Sequence, residues 1–427
     1  MVGNLDKVIK KSFFFIGIFS TLGAFMINIG GFETAITNVF IIIVLGLQLL
    51  KRRINIKNYK IPLIILFFTM IISSISSMYN LESVWVSESI NSTLKVIMFL
   101  MPFTILFMDK ELLFYRKEFF RGLLASCYIQ VIWEILQVVL WNLKTISLNE
   151  IVFGKILKQE ISHTWTFISD GRFRPSGVSW EPANLGLSLV IGYVLCNSKY
   201  SKILFSIGIF LSTSRTAIIV WVLVNCIYIL KYRPISFNRK KIRMKYLDLF
   251  IILGGMILGL IFLLYFSENI INIIQPIIHG ISTTFEKLDL SGMKSDASAN
   301  MHGLYYLKYI DIIKNTSLFQ LIFGYGTATA GFPYSEYLNI YTYLPYWNPE
   351  SDFITILIGN GMLGAVTYYW FMIKNLKYNE NDSKAFLSIV TILIAGLFYL
   401  YFRSSWPFLI AIMLFVKGEG DGGNNII

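Results

Sequence analysis

Residues 203–230 read ILFSIGIFLSTSRTAIIVWVLVNCIYIL. Two apolar runs flank the polar step Ser212-Thr213-Ser214-Arg215, and the reading of that step decides the topology. As one continuous helix the stretch would carry Arg215 through a membrane interior, where an ionisable side chain is costly and marks a functional site. The basic links at 197–202 and 231–245 would then face opposite sides. The second of them holds Lys231, Arg233, Arg239, Lys240, Lys241, Arg243 and Lys245, and links rich in Lys and Arg stay cytoplasmic. Two short helices meeting at Ser212–Arg215 keep both links inside and put Arg215 on the outer side. We read two helices. Each is short for a full crossing, so their outer ends are expected to lie below the membrane surface and form a recess.

Working outward, the same pattern fills the chain. The 427 residues are 55% hydrophobic and 15% charged, with a mean hydropathy of +0.63, where a soluble domain carries about a quarter charged residues. Many runs approach the ~20 apolar residues that a bilayer crossing needs. Apolar spans fall near 13–30, 35–50, 61–78, 91–108, 119–141, 183–196, 203–211, 216–230, 247–267, 352–373, 386–402 and 406–416. The expected fold is an all-α polytopic membrane protein of about 12 transmembrane helices, a single transmembrane domain over 1–427. The net charge of +12 sits in the links at 51–60, 109–121, 197–202, 231–245 and 374–384, a topology signal that argues against nucleic acid as a partner. Links 31–34 and 79–90 carry Glu33, Glu82 and Glu88 and no Lys or Arg. This places both termini in the cytoplasm and two long segments, 142–181 and 268–351, outside.

The segment 268–351 is too long for a bare connection and reads as a functional extracytoplasmic loop carrying short helices. Leu304, Leu307, Ile310 and Ile313 recur at helical spacing with Lys308, Asp311 and Lys314 between them, as in an amphipathic surface helix. Ser298 or Asn300 would cap its start, and Gly324-Tyr325-Gly326 ends the next apolar piece in a turn. Cys127, Cys196 and Cys226 all lie in apolar runs with no disulfide or zinc spacing. Lys7, Lys10 and Lys11 precede a first run with no small-residue cleavage site, which reads as a retained span.

The strongest motif is Arg174-Pro175-Ser176-Gly177-Val178-Ser179-Trp180-Glu181-Pro182. Pro182 suits the first turn of a helix, and the residue before a proline is pushed out of helical conformation. Glu181 then stands at the outer mouth of the sixth span, in the same space as Arg174. A carboxylate there can accept a proton from a sugar hydroxyl; the plainer role is to complement a helix dipole. Guanidinium is planar, permanently charged and bidentate toward phosphate, so Arg174 and Arg215 suit a phosphorylated lipid. Arg215 as a mere snorkelling residue is the competing view. Arg403, beside Trp406, fits an interfacial anchor or a further phosphate contact, and Arg172 is a secondary candidate. Glu350-Ser351-Asp352 opens the tenth span, where capping explains the acidic pair better than a divalent metal does. His302 is a loop candidate for a base or a phosphate contact. Tyr334, Tyr337, Tyr341, Tyr343, Tyr346 and Trp347 read as an interface belt. No metal site and no cofactor is expected.

The run Arg174…Gly177…Glu181-Pro182, then Ser212-Thr213-Ser214-Arg215-Thr216-Ala217, then a long outer loop, resembles the O-antigen polymerase (Wzy) and ligase superfamily. Gly359-Asn360-Gly361-Met362-Leu363-Gly364 is similar to the family's span after that loop. The likeness covers roughly 165–373. It implies a metal-independent polymerase that moves a glycan from undecaprenyl diphosphate onto another lipid-linked repeat at the outer face of a bacterial inner membrane. It carries diphosphate contact onto Arg174 and Arg215, and places an O-antigen or capsular chain and a chain-length regulator among the expected partners. Two positions depart from the pattern: Glu350-Ser351 stands where many relatives carry His-Asn, and His302 where an arginine is expected. Ligases depend on a loop histidine near the first position, so the departure leans toward a polymerase. The rivals are a ligase, a flippase or other transporter, and a scaffold. Glu134 with Gln137 in the fifth span is the feature that favours transport.

Overall fold

The polar step at 212–214 does break the helix. In a computed structural model of the chain, residues 2–29, 32–51, 61–80, 83–95, 115–159, 167–169, 172–179, 181–232, 312–327, 329–333, 351–399 and 405–415 are described. Among them helices dominate: α1 (Val2–Thr21), α2 (Ile36–Lys51), α3 (Ile61–Asn80), α4 (Ser83–Lys95), α5 (Arg116–Lys144), α6 (Pro182–Leu195), α7 (Lys199–Leu211), α8 (Arg215–Tyr232), α9 (Leu318–Phe323), α10 (Asp352–Tyr378), α11 (Ser383–Phe398) and α12 (Ser405–Phe415). A π-helix over Glu150–Ile156 and two antiparallel hairpins complete the description, β1 (Met26–Ile29) with β2 (Phe32–Ala35), and β3 (Phe167–Ser169) with β4 (Arg172–Arg174). Helices α3, α5, α8 and α10 are long and apolar enough to cross a membrane, and α2, α6, α11 and α12 are shorter apolar helices. This is the make-up of a multi-pass membrane protein.

Helix α7 stops because Thr213 turns into the left-handed region at φ 52°, and α8 restarts with the Ser214 hydroxyl accepting from the Ala217 amide at 3.3 Å. Basic residues gather at the far ends of these helices. Tyr232 donates to the Glu380 carbonyl at 2.6 Å, and Lys231 lies 3.5 Å from the Phe386 ring centre. The end of α8 therefore meets the turn between α10 and α11. Tyr128 on α5 donates to Ser201 on α7 at 2.5 Å at the same end. Helices α6 and α7, of 14 and 13 residues, rise only about 20 Å from that end. That is less than the ~30 Å of a bilayer core.

The core runs along α1, α2, α3, α5, α6, α7, α8, α10, α11 and α12, with Phe13, Phe119, Phe205, Phe371 and Phe415 fully enclosed. Helices α1 and α5 pack backbone against backbone: a Cβ on Gly122 would stand 2.0 Å from the Phe14 carbonyl, and one on Gly17 2.1 Å from that of Phe119. Small residues allow this approach where no hydrophobic force separates helix from lipid.

Three expectations change. The first span, read over 13–30, ends as a helix at Thr21 and gives way to the β1–β2 hairpin. Gly30-Gly31 between two short apolar stretches is a hairpin signal, concealed by unbroken apolarity. Residues 83–90, read as a link, form the start of α4. Its polar face is satisfied by α3: the Ser74 hydroxyl meets that of Ser89 at 3.0 Å and also that of Thr93. Third, α10 is not one straight crossing. Gly361 has φ 68° and ψ −175°, and the Phe353 and Tyr369 rings lie 5.9 Å apart. On a straight helix those residues would be about 24 Å apart. The chain reverses at Gly361, so 352–360 lies back along 362–378.

The reversal is welded by α9 and its C-cap. Tyr325 and Gly326 amides donate to the Ile358 and Gly359 carbonyls, each at 2.9 Å, and Ser73 on α3 donates to the same Gly359 carbonyl. A Cβ on Gly324 would lie 2.2 Å from that carbonyl, and one on Gly361 2.2 Å from the Ile322 carbonyl. Irregular backbone inside a membrane protein persists where protein satisfies it in this way. The turn expected at Gly324-Tyr325-Gly326 is present. The ninth span at 247–267 and the loop helix, up to its last turn from 312, lie outside the described residues.

Candidate functional site

Two glutamines build the site from below. Gln130 and Gln137 lie seven residues apart on α5 and so share one face. Gln137 Oε1 accepts from the Gly177 amide at 2.8 Å, and Gln130 Oε1 from the Val178 amide at 2.7 Å. Gln130 Nε2 donates to Ser179 Oγ at 2.7 Å and to the Thr21 carbonyl at 2.8 Å. Asn149, itself held by Trp133 Nε1 at 2.7 Å, donates to the Gly177 carbonyl at 2.9 Å and to Ser176 Oγ at 3.2 Å. Residues 175–179 are buried, and side-chain amides replace the water their backbone would otherwise need. Gly177 at φ 60° admits this fit, since a Cβ would stand 2.3 Å from Gln130 Oε1. Ahead of the loop, Phe173 stacks on Trp141 with ring centres 4.7 Å apart, anchoring β4 to the end of α5.

The loop delivers Arg174 at one end and Glu181 at the other. Arg174, half-buried, donates through Nε to Thr213 Oγ1 at 3.0 Å and through Nη2 to the Thr213 carbonyl at 3.5 Å. Thr213 is the residue of the α7–α8 turn, so Arg174 grips the step that ends in Arg215. Arg215, also half-buried, is the first residue of α8, where the helix dipole presents its positive end. Gly186 on α6 allows the turn to close in: a Cβ there would meet Ala217 Cβ at 2.6 Å and Ser212 Oγ at 2.8 Å. Arg174 thus bonds the turn residue that stands two positions before Arg215.

Glu181 is the N-cap of α6 with extended backbone at φ −148° and ψ 154°, followed by Pro182 at the first helical position. Its Oε2 accepts from the Tyr399 hydroxyl at 2.5 Å, and that hydroxyl accepts from Asn184 Nδ2 at 3.1 Å. Asp352 is buried at the start of α10 against the last turns of α11, where a Cβ on Gly396 would lie 2.8 Å from its Oδ2. Ser351 holds the N-cap position of α10 without a side-chain capping bond. Arg172 lies in β4, two residues before Arg174. Glu350, His302 and Arg403 lie outside the described residues. Among the described residues no group of three His, Cys, Asp or Glu side chains comes together to hold a metal.

Glu134, on the same face of α5 as the two glutamines, is fully buried against α7, where a Cβ on Gly208 would stand 2.9 Å from its Oε2. Gln137, its companion in the transport reading, is engaged in holding the loop. Sequence reasoning missed Gln130, Asn149, Thr213 and Tyr399. The glutamines had a signal, a polar stripe at helical spacing on an apolar span; Tyr399 had none, being one of several tyrosines near helix ends.

No curated protein matches the chain. The family model Wzy_C, described as O-antigen ligase, matches residues 200–369, less than half of the chain. The matched stretch holds the α7–α8 turn with Arg215, the α9 weld and the reversal of α10, and it supports membership of the chain in the O-antigen ligase and polymerase superfamily.

Proposed function

We propose that the protein polymerises undecaprenyl-diphosphate-linked oligosaccharide repeats of an O-antigen or capsule. The site faces outward from a bacterial inner membrane, with both termini cytoplasmic. The observation that supports the reading is the bond from Arg174 to Thr213, two residues before Arg215 at the start of α8, at the end of the bundle away from the lysine-bearing links. Two guanidiniums and a helix N-terminus match a diphosphate in charge and geometry, and in a recess of low dielectric they act on the charge that develops as the glycosidic bond breaks. Glu181 takes the proton of an acceptor sugar hydroxyl. That oxygen bonds to the anomeric carbon as the carbon–oxygen bond to the diphosphate breaks. Undecaprenyl diphosphate departs with its charge held by the arginines, and a single displacement inverts the anomeric centre. No metal enters this scheme. Arg403, His302, Arg172, Glu350 and Asp352 remain candidates for substrate contact, and a chain-length regulator is a candidate partner.

Deleting the gene and separating the surface glycans on a gel tests the reading. Loss of the ladder with a single repeat left on its carrier or core is the expected result. Loss of all attached glycan with long lipid-linked chains accumulating would make the protein a ligase, and an unchanged ladder would return the question to transport. Arg215→Ala is expected to abolish the polymer with the protein still inserted.

A further inference from the structure

The carboxylate of Glu181 does not stand alone. Tyr399 is 9% exposed and occupies the C-cap of α11, where its extended backbone at φ −151° and ψ 149° ends the helix. Its phenol oxygen accepts from Asn184 on α6 and has one proton to give. The Asn184 amide donor takes one side of that oxygen, and the phenol proton goes to Glu181 Oε2. Donor order along this chain is therefore fixed: Asn184, then Tyr399, then the carboxylate. A hydrogen bond to a charged acceptor is among the stronger ones available to a side chain. It also ties two separate helices, because Glu181 and Asn184 begin α6 while Tyr399 ends α11.

We propose that Tyr399 is the positioning residue for Glu181. By holding Oε2, it fixes the plane in which the carboxylate meets the acceptor hydroxyl. The inference rests on the reading of Glu181 as the base. Asn184 supports it at one remove, by keeping the phenol proton directed at the carboxylate.

The experiment compares purified variants in nanodiscs, turning over a synthetic undecaprenyl-diphosphate-linked repeat. Tyr399→Phe removes one oxygen and keeps the ring, and its melting temperature is checked against the parent. It is expected to lower kcat about tenfold or more while KM for the lipid-linked repeat stays within about twofold, as follows when a base is misaimed with binding intact. Adding Tyr399→Phe to Glu181→Asp, whose shortened carboxylate has already lost the alignment, is expected to cost nothing further. An equal second loss in the Glu181→Asp background would show a merely structural tyrosine and overturn the inference. So would full activity in Tyr399→Phe beside an inactive Glu181→Gln, an outcome that leaves the base reading standing. Full activity in Glu181→Gln would sink the base reading itself, and the positioning role with it.

Discussion

Gln130→Met removes the hydrogen bonds of Gln130 with little change in side-chain volume, so no cavity term enters. Gln130 makes three bonds to the loop and its surroundings. Two of the partners keep company after the change, because Ser179 Oγ still donates to the Thr21 carbonyl at 3.3 Å. The Val178 amide loses the acceptor that Gln130 supplied. One orphaned buried amide costs about 1–3 kcal/mol, and each lost neutral bond with a surviving alternative about 0.5–1.5 kcal/mol. The sum is on the order of 2–6 kcal/mol, concentrated on five residues between Arg174 and Glu181. A loop that relaxes by about 1 Å moves both groups, and misplacement on that scale costs roughly 100-fold in rate. The assay pairs unfolding free energy in detergent with turnover in nanodiscs, and uses Ile132→Met on the exposed face of α5 as the control. A stability loss below about 0.5 kcal/mol with turnover within about twofold of the parent would refute the claim that side chains of α5 hold the loop.

Arg215→Lys keeps the charge and loses the fork, so turnover should fall at least about tenfold with the protein still inserted; equal turnover would reduce Arg215 to a point charge. Gly361→Ala meets a backbone conformation open essentially to glycine alone, at a strain of about 1–3 kcal/mol, besides the 2.2 Å clash with the Ile322 carbonyl. A disulfide engineered between positions 327 and 360, whose side chains bond at 2.8 Å, should form in the parent background and fail with alanine at 361. Gly122→Val drives a methyl into the Phe14 carbonyl and should cost about 3 kcal/mol or more, read as a lowered melting temperature. Phe173→Ala removes the stack on Trp141 and should lower turnover more than stability, since it frees the approach to Arg174.

Much of this was legible in the chain. Charge parity across the basic links located the break at 212–214, and proline chemistry fixed Glu181 at the mouth of α6. The three misread places have two causes. Apolar continuity hides a reversal wherever backbone rather than side chains makes the contact, as in the β1–β2 pairing and at Gly361. Polar helices such as α4 are under-read when their hydroxyls meet a neighbour instead of water. The site was half visible, since arginines in apolar surroundings advertise themselves. Tyr399 and Thr213 do not, because their value lies in partners more than thirty residues away in sequence.

The weld between α9 and α10 also governs how such a sequence can change over time. Gly324 and Gly361 each face backbone of the opposing segment that a Cβ would meet at 2.2 Å, so neither position admits a side chain whatever stands at the other. Side-chain variation is therefore confined to other positions of the weld, and changes of chain length to stretches that leave the Ile322 and Gly359 carbonyls where they are. Each glycine is fixed by backbone, on its own account.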